Sequence, residues 1–369
     1  MSESTTLLDL IQQRLDEFCA QQRRDFAAIS DELAPITDYV QDLLQGGKRF
    51  RAMFAYWAWV GALEGQNLTK EQLELSAEAI VEISAALEMF HGAALVHDDL
   101  LDRSDTRRGA PAVHKRFEAL HGRNGWAGVA ERFGQAGSVL VGDMMLGWAN
   151  EIFAKAILKA PTAAAQQASR EQFHLMQIEV MAGQYLDVAE ENAGPTRAAH
   201  EAVGRANRVM LYKTAKYSVE APLLIGAAFA GADESLLHSI SAFAIPLGLA
   251  FQLKDDILGV FGTPEKTGKP VGDDLREGKR TVLIALTRET LQPSVAKIFD
   301  ELLCERELSD DQIRYLQQTI IDSGALRKTE LMLEELADQS LTALENIELS
   351  ATAKDNLRAL AQKVVSRES

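Results

Sequence analysis

Apolar residues recur at intervals of three and four along most of the chain, which is the spacing of an amphipathic α-helix. The same segments are rich in Ala, Leu, Glu, Gln and Met, all of which favour helices. Strand-like alternation between turn pairs is hardly seen. The pattern predicts an all-α protein, with helices over 6–28, 36–45, 50–63, 71–102, 137–159, 170–190, 198–231, 234–260, 281–306, 309–322 and 325–366.

Two of the predicted helices lack a polar face. The helix that ends near Leu101 is apolar almost all round from Ile80 onward, and the segment 234–260 is similar. A helix without a polar face is buried among other helices, so we expect both to be central in one bundle. The irregular stretches 103–136 and 261–280 are long, charged and contain glycine, and such loops often carry functional residues.

Composition and charge narrow the class of protein. The 369 residues suffice for a sizeable core, and 47% hydrophobic with 25% charged residues is typical of globular proteins. We expect one all-helical domain over residues 1–369, with residues 1–6 disordered. The net charge of -16 argues against a nucleic-acid partner and against binding to anionic membranes.

The cellular compartment is predicted from three features that the sequence does not show: a disulfide framework, a secretory signal and a long apolar stretch. Its two cysteines, Cys19 and Cys304, are too few and too far apart for a disulfide framework or a thiolate metal site. The N-terminal residues are polar and acidic, unlike a secretory signal. The uninterrupted apolar stretches are short for a bilayer. These observations predict a cytoplasmic protein with no integral membrane segment.

Both apolar helices end in aspartates. Asp98 and Asp102 lie four residues apart on one helix face with Asp99 between them, and Asp255-Asp256 closes the second helix. Clustered carboxylates at a helix C-terminus repel one another and oppose the helix dipole, so a cation should compensate them. Oxygen ligands with few competing nitrogens favour Mg²⁺, which bridges substrate phosphates. The sequence therefore predicts a magnesium site if the two motifs face each other.

Basic residues accompany these acids. Lys48 and Arg51 follow a Gly-Gly pair at a helix start, and Arg107-Arg108 follows the first aspartate motif. Further bases are Lys213, Lys269 and Lys279. Arg and Lys around a magnesium site are what a diphosphate ligand requires.

These motifs resemble, in order, those of the trans-isoprenyl diphosphate synthases, and the geranylgeranyl diphosphate synthases among them most. The resemblance covers residues 46–281. It rests on Gly47–Arg51, His91, Asp98–Asp102 with Arg107 and Arg108, Gly183–Asp187, Lys213-Thr214, Gln252 with Asp255-Asp256, Lys269 and Lys279. Two positions depart from the family pattern: Ala52 replaces a usual proline, and Gly259 replaces the third aspartate of the second motif. The second departure leaves open which acids complete that motif, with Asp273 and Asp274 as candidates beside Asp256.

The resemblance implies a helical bundle of the isoprenoid synthase type with a central active-site cavity, a homodimer, and condensation of isopentenyl diphosphate with an allylic diphosphate. It implies Mg²⁺, three ions per site, for which Mn²⁺ can substitute. The implied metal ligands are Asp98, Asp99, Asp102, Asp255 and Asp256. The implied ligands of isopentenyl diphosphate are Lys48, Arg51, His91 and Arg108. Those of the allylic diphosphate are Arg107, Lys213, Gln252, Lys269 and Lys279, and the catalytic groups at the allylic cation are Lys213, Thr214 and Gln252. The 261–280 loop would be a lid, hinged at glycines such as Gly262, Gly268, Gly272 and Gly278.

Product length can be predicted from the helix that precedes Asp98. One isoprene unit is about as long as one helical turn, about 5.4 Å. One turn back, Ala93 and Ala94 leave room where an aromatic residue would block, and Phe90 is a candidate floor. This arrangement predicts mainly geranylgeranyl (C20) rather than farnesyl (C15) diphosphate. A longer product stays open if Leu87 or another helix forms the floor.

Three other functions were weighed against a prenyl diphosphate synthase. A ferritin-like di-iron oxidase would use Glu-x-x-His pairs. Three such spacings occur, at Glu88/His91, Glu118/His121 and Glu171/His174. A terpene cyclase shares the aspartate motifs but does not need Lys48, Arg51 and His91 for a second diphosphate. A regulatory subunit of an active synthase would have no need to keep nearly all of these charged residues.

Overall fold

The structure is a computed structural model that describes residues 3–64, 66, 68–263, 271–305 and 307–365. Most of these residues are helical, which confirms the predicted all-α class. The one sheet in the described part of the chain is a two-residue antiparallel pair, β1 (Thr106–Arg107) and β2 (Ala110–Pro111). The chain divides into two compact units, and two of the three boundaries between them fall within helices.

Unit 1 comprises Met1–Arg170 and Ile225–Ala232. Its helices, in chain order, are α1 (Glu3–Ala27), α2 (Ala34–Leu43), α3 (Phe50–Ala62), α4 (Lys70–Leu101), α5 (Val113–Arg123) and α6 (Ala130–Ala156), followed by the start of α7 (Ala163–Ala193). α4 packs against α1, α3 and α6. Residues 3–6, which we predicted to be disordered, belong to the first turns of α1.

Unit 2 comprises Glu171–Leu224 and Asp233–Ser369. Beyond α7 it continues through α8 (Ala202–Val209), a π-helix (Met210–Glu220), α9 (Ala221–Ala230, whose end belongs to unit 1), α10 (Glu234–Phe261), α11 (Asp273–Arg276), α12 (Val282–Thr290), α13 (Pro293–Leu302), α14 (Asp310–Asp322), α15 (Ala325–Glu345) and α16 (Ala351–Val365). α10 packs against the π-helix and α15. The expectation of one domain stays a prediction.

Local sequence explains where several helices begin and end. Thr69 caps α4 with a reciprocal pair of hydrogen bonds to Gln72, a capping box. The segment predicted as one helix over 281–306 is two helices, because Pro293 begins α13 and pushes the residue before it into an extended conformation. The predicted helix over 325–366 is likewise interrupted, between α15 and α16.

The stretch 103–136 is more regular than its composition indicated. We predicted an irregular loop there, but the structure contains β1, β2, α5 and the beginning of α6. Helix α5 packs against α6, and its buried residues include Val113 and Phe117. Their spacing of four places them on one helix face, a signal that the surrounding Gly and Arg residues obscured.

Of the two apolar helices, α4 is the more deeply buried. Within the most apolar stretch of each helix, 78% of α4 is buried but only 39% of α10. Both are long and apolar enough to cross a membrane by length and composition, contrary to the sequence-based expectation that no stretch would be. This is weak evidence for a membrane span, since the core helix of a globular protein meets the same criterion.

Candidate active site

The first aspartate motif ends α4 in unit 1. Asp98 and Asp102 are half-buried, whereas Asp99 is only 2% exposed. The guanidinium group of Arg107, which lies on β1, donates from Nε (2.8 Å) and from Nη2 to Asp99 Oδ1. It also lies 3.5 Å from Asp98 Oδ2. Asp99 is therefore held by Arg107, and the face shared by Asp98 and Asp102 is the part of the motif suited to a metal ion.

The predicted isopentenyl diphosphate ligands also lie in unit 1. Residues 44–49, here called the diphosphate loop, join α2 to α3. Gly46 and Gly47 have φ angles of 68° and 92°, a left-handed conformation that favours glycine. A Cβ atom on Gly47 would lie 3.0 Å from the Arg108 guanidinium, so this glycine also permits a close approach. Arg108 Nη1 donates to the carbonyl oxygens of Leu43 and Gln45, each at 3.1 Å.

His91 lies two turns before Asp98 on α4 and faces a group of cations. Burial lowers the pKa of His91 well below its usual value, and the nearby charges of Arg51, Arg108, Arg107 and Arg49, in that order, lower it further. A neutral imidazole amid several guanidinium groups is a site prepared for an anion. The sequence-predicted residues Arg51, His91 and Arg108 are thus brought together.

The second aspartate motif belongs to a hydrogen-bond chain in unit 2. The Thr214 hydroxyl donates to Gln252 Oε1, and Gln252 Nε2 donates to Asp256 Oδ1 at 2.7 Å. Helix α10 approaches the π-helix closely here, because a Cβ atom on Gly248 would lie 2.5 Å from the Ala215 backbone. This glycine, one turn before Gln252, allows the amide to reach the Thr214 hydroxyl.

Asp256 is a buried acid, only 3% exposed. Burial raises the pKa of its carboxyl well above the usual value; the hydrogen bond from Gln252 lowers it, and the charges of Asp274, Asp255 and Asp187 raise it again. Four carboxylates therefore lie near one another in unit 2. Their repulsion favours either a proton or a metal ion among them.

The Asp274 carboxylate lies beside Gly259, the glycine that replaces the third aspartate of this motif. A Cβ atom on Gly259 would lie 2.1 Å from Asp274 Oδ2, so the Asp274 carboxylate occupies the space a side chain at position 259 would need. Asp274, on α11, thus brings an acid to the point where the motif lacks one. In the sequence Asp274 is one of several candidates, and only the structure shows its contact with position 259.

The π-helix carries two more predicted residues, Lys213 and Thr214. Lys213 Nζ forms an ion pair with Asp187 on α7. A Cβ atom on Gly183 would lie 2.4 Å from the backbone nitrogen of Lys213, so glycine is required where α7 crosses the π-helix. The Gly183–Asp187 segment therefore supplies both the close packing and the counter-charge for Lys213.

The two lysines predicted on the 261–280 loop differ in what the structure shows. Lys269 lies outside the described residues, as does Gly268, so their roles stay predictions. Lys279 Nζ pairs with Glu277 Oε2 at 2.9 Å, and the Glu277 side chain is only 9% exposed. Sequence analysis did not single out Glu277.

The donor set fits magnesium better than iron. Among the described residues, no group of three His, Cys, Asp or Glu side chains is close enough to hold a metal ion alone. Mg²⁺ commonly binds through one or two carboxylates plus substrate phosphates, which suits the Asp98/Asp102 face in unit 1 and the carboxylates around Asp255 in unit 2. The arrangement gives no support to a di-iron site at Glu88/His91, because Glu88 forms a buried ion pair with Arg49.

The comparisons with known proteins agree with these features. The sequence model of the polyprenyl synthetase family matches residues 33–320. A crystal structure of geranylgeranyl pyrophosphate synthase from Corynebacterium glutamicum, complexed with isoprenyl diphosphate and magnesium, is similar with a TM-score of 0.89 and 34% sequence identity, over 98% of this chain and 99% of that chain.

Two curated relatives differ in the product they are named for. Geranylgeranyl diphosphate synthase from Sulfolobus acidocaldarius is 31% identical over 268 residues, 73% of this chain and 71% of its own. Geranylfarnesyl diphosphate synthase from Aeropyrum pernix is 29% identical over 330 residues, 87% of this chain and 91% of its own. Since the family match spans most of the sequence and includes both aspartate motifs, the chain belongs to the polyprenyl synthetase family and is an isoprenyl diphosphate synthase.

Proposed function

We propose that this enzyme condenses isopentenyl diphosphate head-to-tail with dimethylallyl, geranyl or farnesyl diphosphate and makes mainly geranylgeranyl diphosphate. The observation that carries the proposal is the cationic site around neutral His91 in unit 1. A terpene cyclase ionises one diphosphate and has no use for a second anion site. Lys48, Arg51, His91 and Arg108 would hold isopentenyl diphosphate with its double bond aimed at the allylic carbon, so positioning supplies much of the rate.

Each of the two aspartate motifs would bind the metal ions that the reaction requires. Asp98 and Asp102 in unit 1, and Asp255 with Asp256 in unit 2, would bind Mg²⁺, three ions per site, with Mn²⁺ as a substitute. When bound, these ions act as Lewis acids that stabilise the leaving diphosphate. Arg107, Lys213, Lys269 and Lys279 would share its negative charge. Asp99 would contribute by orienting Arg107, the contact in which the structure places it.

The chain of Thr214, Gln252 and Asp256 would face the carbocation. Oriented hydroxyl and amide dipoles stabilise developing positive charge without reorganising during the reaction. Gln252 donates to Asp256 and accepts from Thr214, so its carbonyl oxygen has a fixed direction. The released diphosphate would take the final proton.

The chain-length proposal rests on a stripe along α4. Phe90, Ala94, Asp98 and Asp102 are spaced by four, which places them along one slowly turning face. Ala94 is half-buried like Asp98, whereas Phe90 is 1% exposed. Ala94 shares the face of Asp98 because the two are four residues apart, whereas Ala93 lies beside it and is fully buried. A prenyl tail extending from Asp98 would pass Ala94 and meet Phe90.

The proposal is tested by incubating the purified protein with Mg²⁺, isopentenyl diphosphate and each allylic primer, and measuring products by mass spectrometry. We expect mainly C20 product from wild type, longer products from Phe90→Ala and shorter products from Ala94→Phe. Phe299→Ala is a matched control, because Phe299 is equally buried in the core of unit 2. Unchanged product lengths in both α4 variants would contradict the floor assigned to Phe90.

We also propose that the protein is a cytoplasmic homodimer. On the unit 2 part of α7, Leu175, Ile178, Met181 and Tyr185 are exposed at spacings of three and four, and Tyr185 is 73% exposed. A continuous apolar stripe on a helix favours burial against a partner. Light scattering should give twice the chain mass, and Ile178→Lys should lower it. Leu158→Lys, at an exposed residue outside this stripe, is the control.

A further inference from the structure

A buried ion pair lies behind the diphosphate loop in unit 1. Arg49 Nη1 lies 3.1 Å from Glu88 Oε2, and the two side chains are only 6% and 3% exposed. Arg49 ends the loop, and Glu88 lies on α4 three residues before His91. The pair therefore connects the loop that carries Lys48 to the helix that carries His91.

The backbone of Arg49 is held in an unusual conformation. Its φ angle of 49° is left-handed, which is uncommon for a residue with a side chain. The guanidinium group reaches back to donate to the Leu44 carbonyl oxygen, at the other end of the diphosphate loop. Arg49 thus closes the loop on itself, and the buried contacts with Glu88 and Leu44 maintain a conformation that would otherwise be strained.

Arg49 and Gln45 of the diphosphate loop also form hydrogen bonds with helix α1. Arg49 Nη2 donates to Gln12 Oε1 at 2.7 Å, and Gln12 Nε2 donates to Asp16 Oδ1 at 3.0 Å. The Gln45 amide donates to the same Asp16 oxygen at 3.0 Å. Two points of the diphosphate loop are therefore fastened to α1, which precedes residues 33–320 matched by the family.

Glu88 also balances charge within this site. Burial lowers the pKa of Arg108, and so do the charges of Arg49, Arg107 and Arg51, whereas the Glu88 carboxylate partly offsets them. Four guanidinium groups near one imidazole would repel one another without an acid among them. Glu88 supplies such an acid through its ion pair with Arg49, as Asp99 does through its ion pair with Arg107.

We propose that Arg49 and Glu88, fastened to α1 by Gln12, are positioning residues that set the geometry of the isopentenyl diphosphate site without touching the substrate. This inference rests on the proposed function, because it assigns these residues to that site. It predicts a selective effect: their loss weakens isopentenyl diphosphate binding but leaves the affinity for the allylic diphosphate unchanged.

The main test is the double variant Arg49→Met/Glu88→Met. Removing both charges avoids leaving one of them buried alone, and such replacements are often neutral in stability. We expect the KM for isopentenyl diphosphate to rise about tenfold or more, the size of losing a hydrogen bond to a charged group. The KM for the allylic diphosphate and the kcat at saturation should stay within about twofold of wild type. Calorimetric binding of isopentenyl diphosphate alone should weaken by the same factor.

A second pair of variants keeps the test decisive if the double variant does not fold. Gln12→Ala removes the contact from half-buried Gln12, whereas Gln13→Ala removes an exposed contact to Glu17 on the same helix. We expect Gln12→Ala to raise the KM for isopentenyl diphosphate a few-fold and Gln13→Ala to leave it unchanged.

The outcomes separate the two proposals. A folded double variant with an unchanged KM for isopentenyl diphosphate, or equal KM values for Gln12→Ala and Gln13→Ala, overturns the positioning role. An equal rise in both KM values also overturns it, because that pattern indicates general disorder of the site. If wild type neither binds nor elongates isopentenyl diphosphate, the proposed function itself fails.

Discussion

In unit 1 the side chains around His91 are mostly cations, whereas in unit 2 those around Asp256 are mostly carboxylates. Each cluster shifts the pKa of its central group toward the neutral form, downward for His91 and upward for Asp256. Unit 1 holds its cations in place with ion pairs, as Asp99 does for Arg107 and Glu88 for Arg49. Unit 2 pairs Lys213 with Asp187, yet three more acids remain near one another.

The difference indicates which kind of ligand each cluster favours. A group of guanidinium ions around a neutral imidazole is completed by an anion, and a group of carboxylates is completed by a divalent cation. The comparison can be tested by perturbing one cluster at a time.

The largest effect should come from the first aspartate motif. Asp98→Ala should lower kcat about a thousandfold, because Lewis-acid stabilisation by a bound metal is worth about 4 kcal/mol in the transition state. Circular dichroism should show an intact fold. Asp105→Asn, at an exposed residue seven positions later, serves as the control. Near-normal turnover by Asp98→Ala would be incompatible with the metal site proposed on α4.

A smaller effect is expected at the glycine of the second motif. Gly259→Ala places a Cβ atom in the space of the Asp274 carboxylate, which must then move. We expect kcat to fall about 10- to 100-fold, the usual size of disturbing groups around a metal site. Asp274→Asn should act similarly, and Mg²⁺-dependent thermal stabilisation in the presence of inorganic diphosphate should weaken in both variants.

The control for that experiment is Gly204→Ala on α8. A Cβ atom on Gly204 meets nothing within 4 Å, so this variant tests the added methyl group without a clash. Its kcat should match wild type. If Gly259→Ala and Gly204→Ala were equally active and equally stabilised by Mg²⁺, Asp274 would have no role beside the second motif.

The raised pKa of Asp256 predicts a stability effect in protein freed of divalent cations. The folded state keeps a proton that the unfolded chain releases, so stability falls as pH rises from the usual Asp range toward the raised pKa. Asp256→Asn removes this loss, and its free energy of unfolding should exceed that of wild type increasingly with pH, by up to about 1.4 kcal/mol per pH unit. Urea unfolding between pH 4 and 8 measures it; parallel curves would contradict the prediction.

The lowered pKa of His91 predicts that stability changes with pH in the opposite direction. Below the usual His range the unfolded chain binds a proton at His91 that the folded state does not bind. The free energy of unfolding therefore falls as pH falls. His91→Gln lacks this loss, so the gap in Tm between wild type and His91→Gln should move in favour of the variant from pH 7 to pH 5.5. A constant gap would indicate that His91 is not surrounded by cations in solution.

Much of the fold could be predicted from the sequence, because its helices have strong periodicity and recognisable ends. The all-α class and the two long apolar helices are confirmed. The break before Pro293 was missed because the helical pattern continues through it. In 103–136 the composition concealed α5, whose apolar face is only a few residues wide.

The sequence names candidate site residues where residue type alone carries chemistry. Asp98, Arg108 and Gln252 were named from motifs, but their partners were not. Glu88 appeared in the sequence only as half of a Glu-x-x-His spacing, and its pairing with Arg49 depends on a contact across 39 residues. Such pairings arise from tertiary packing, which no local pattern encodes.

The π-helix that carries Lys213 and Thr214 has one further consequence. A π-helical turn holds an extra residue compared with an α-helical turn, so such a segment corresponds to an α-helix with an insertion. Deleting one residue between 210 and 213 should let the backbone relax into ordinary α-helix, and every later side chain of that helix, Thr214 included, would rotate by about 100°. Relaxation would therefore give the helix regular α-helical hydrogen bonds but would turn Thr214 away from Gln252. The hydrogen bond between Thr214 and Gln252 thus depends on the less regular π-helical backbone.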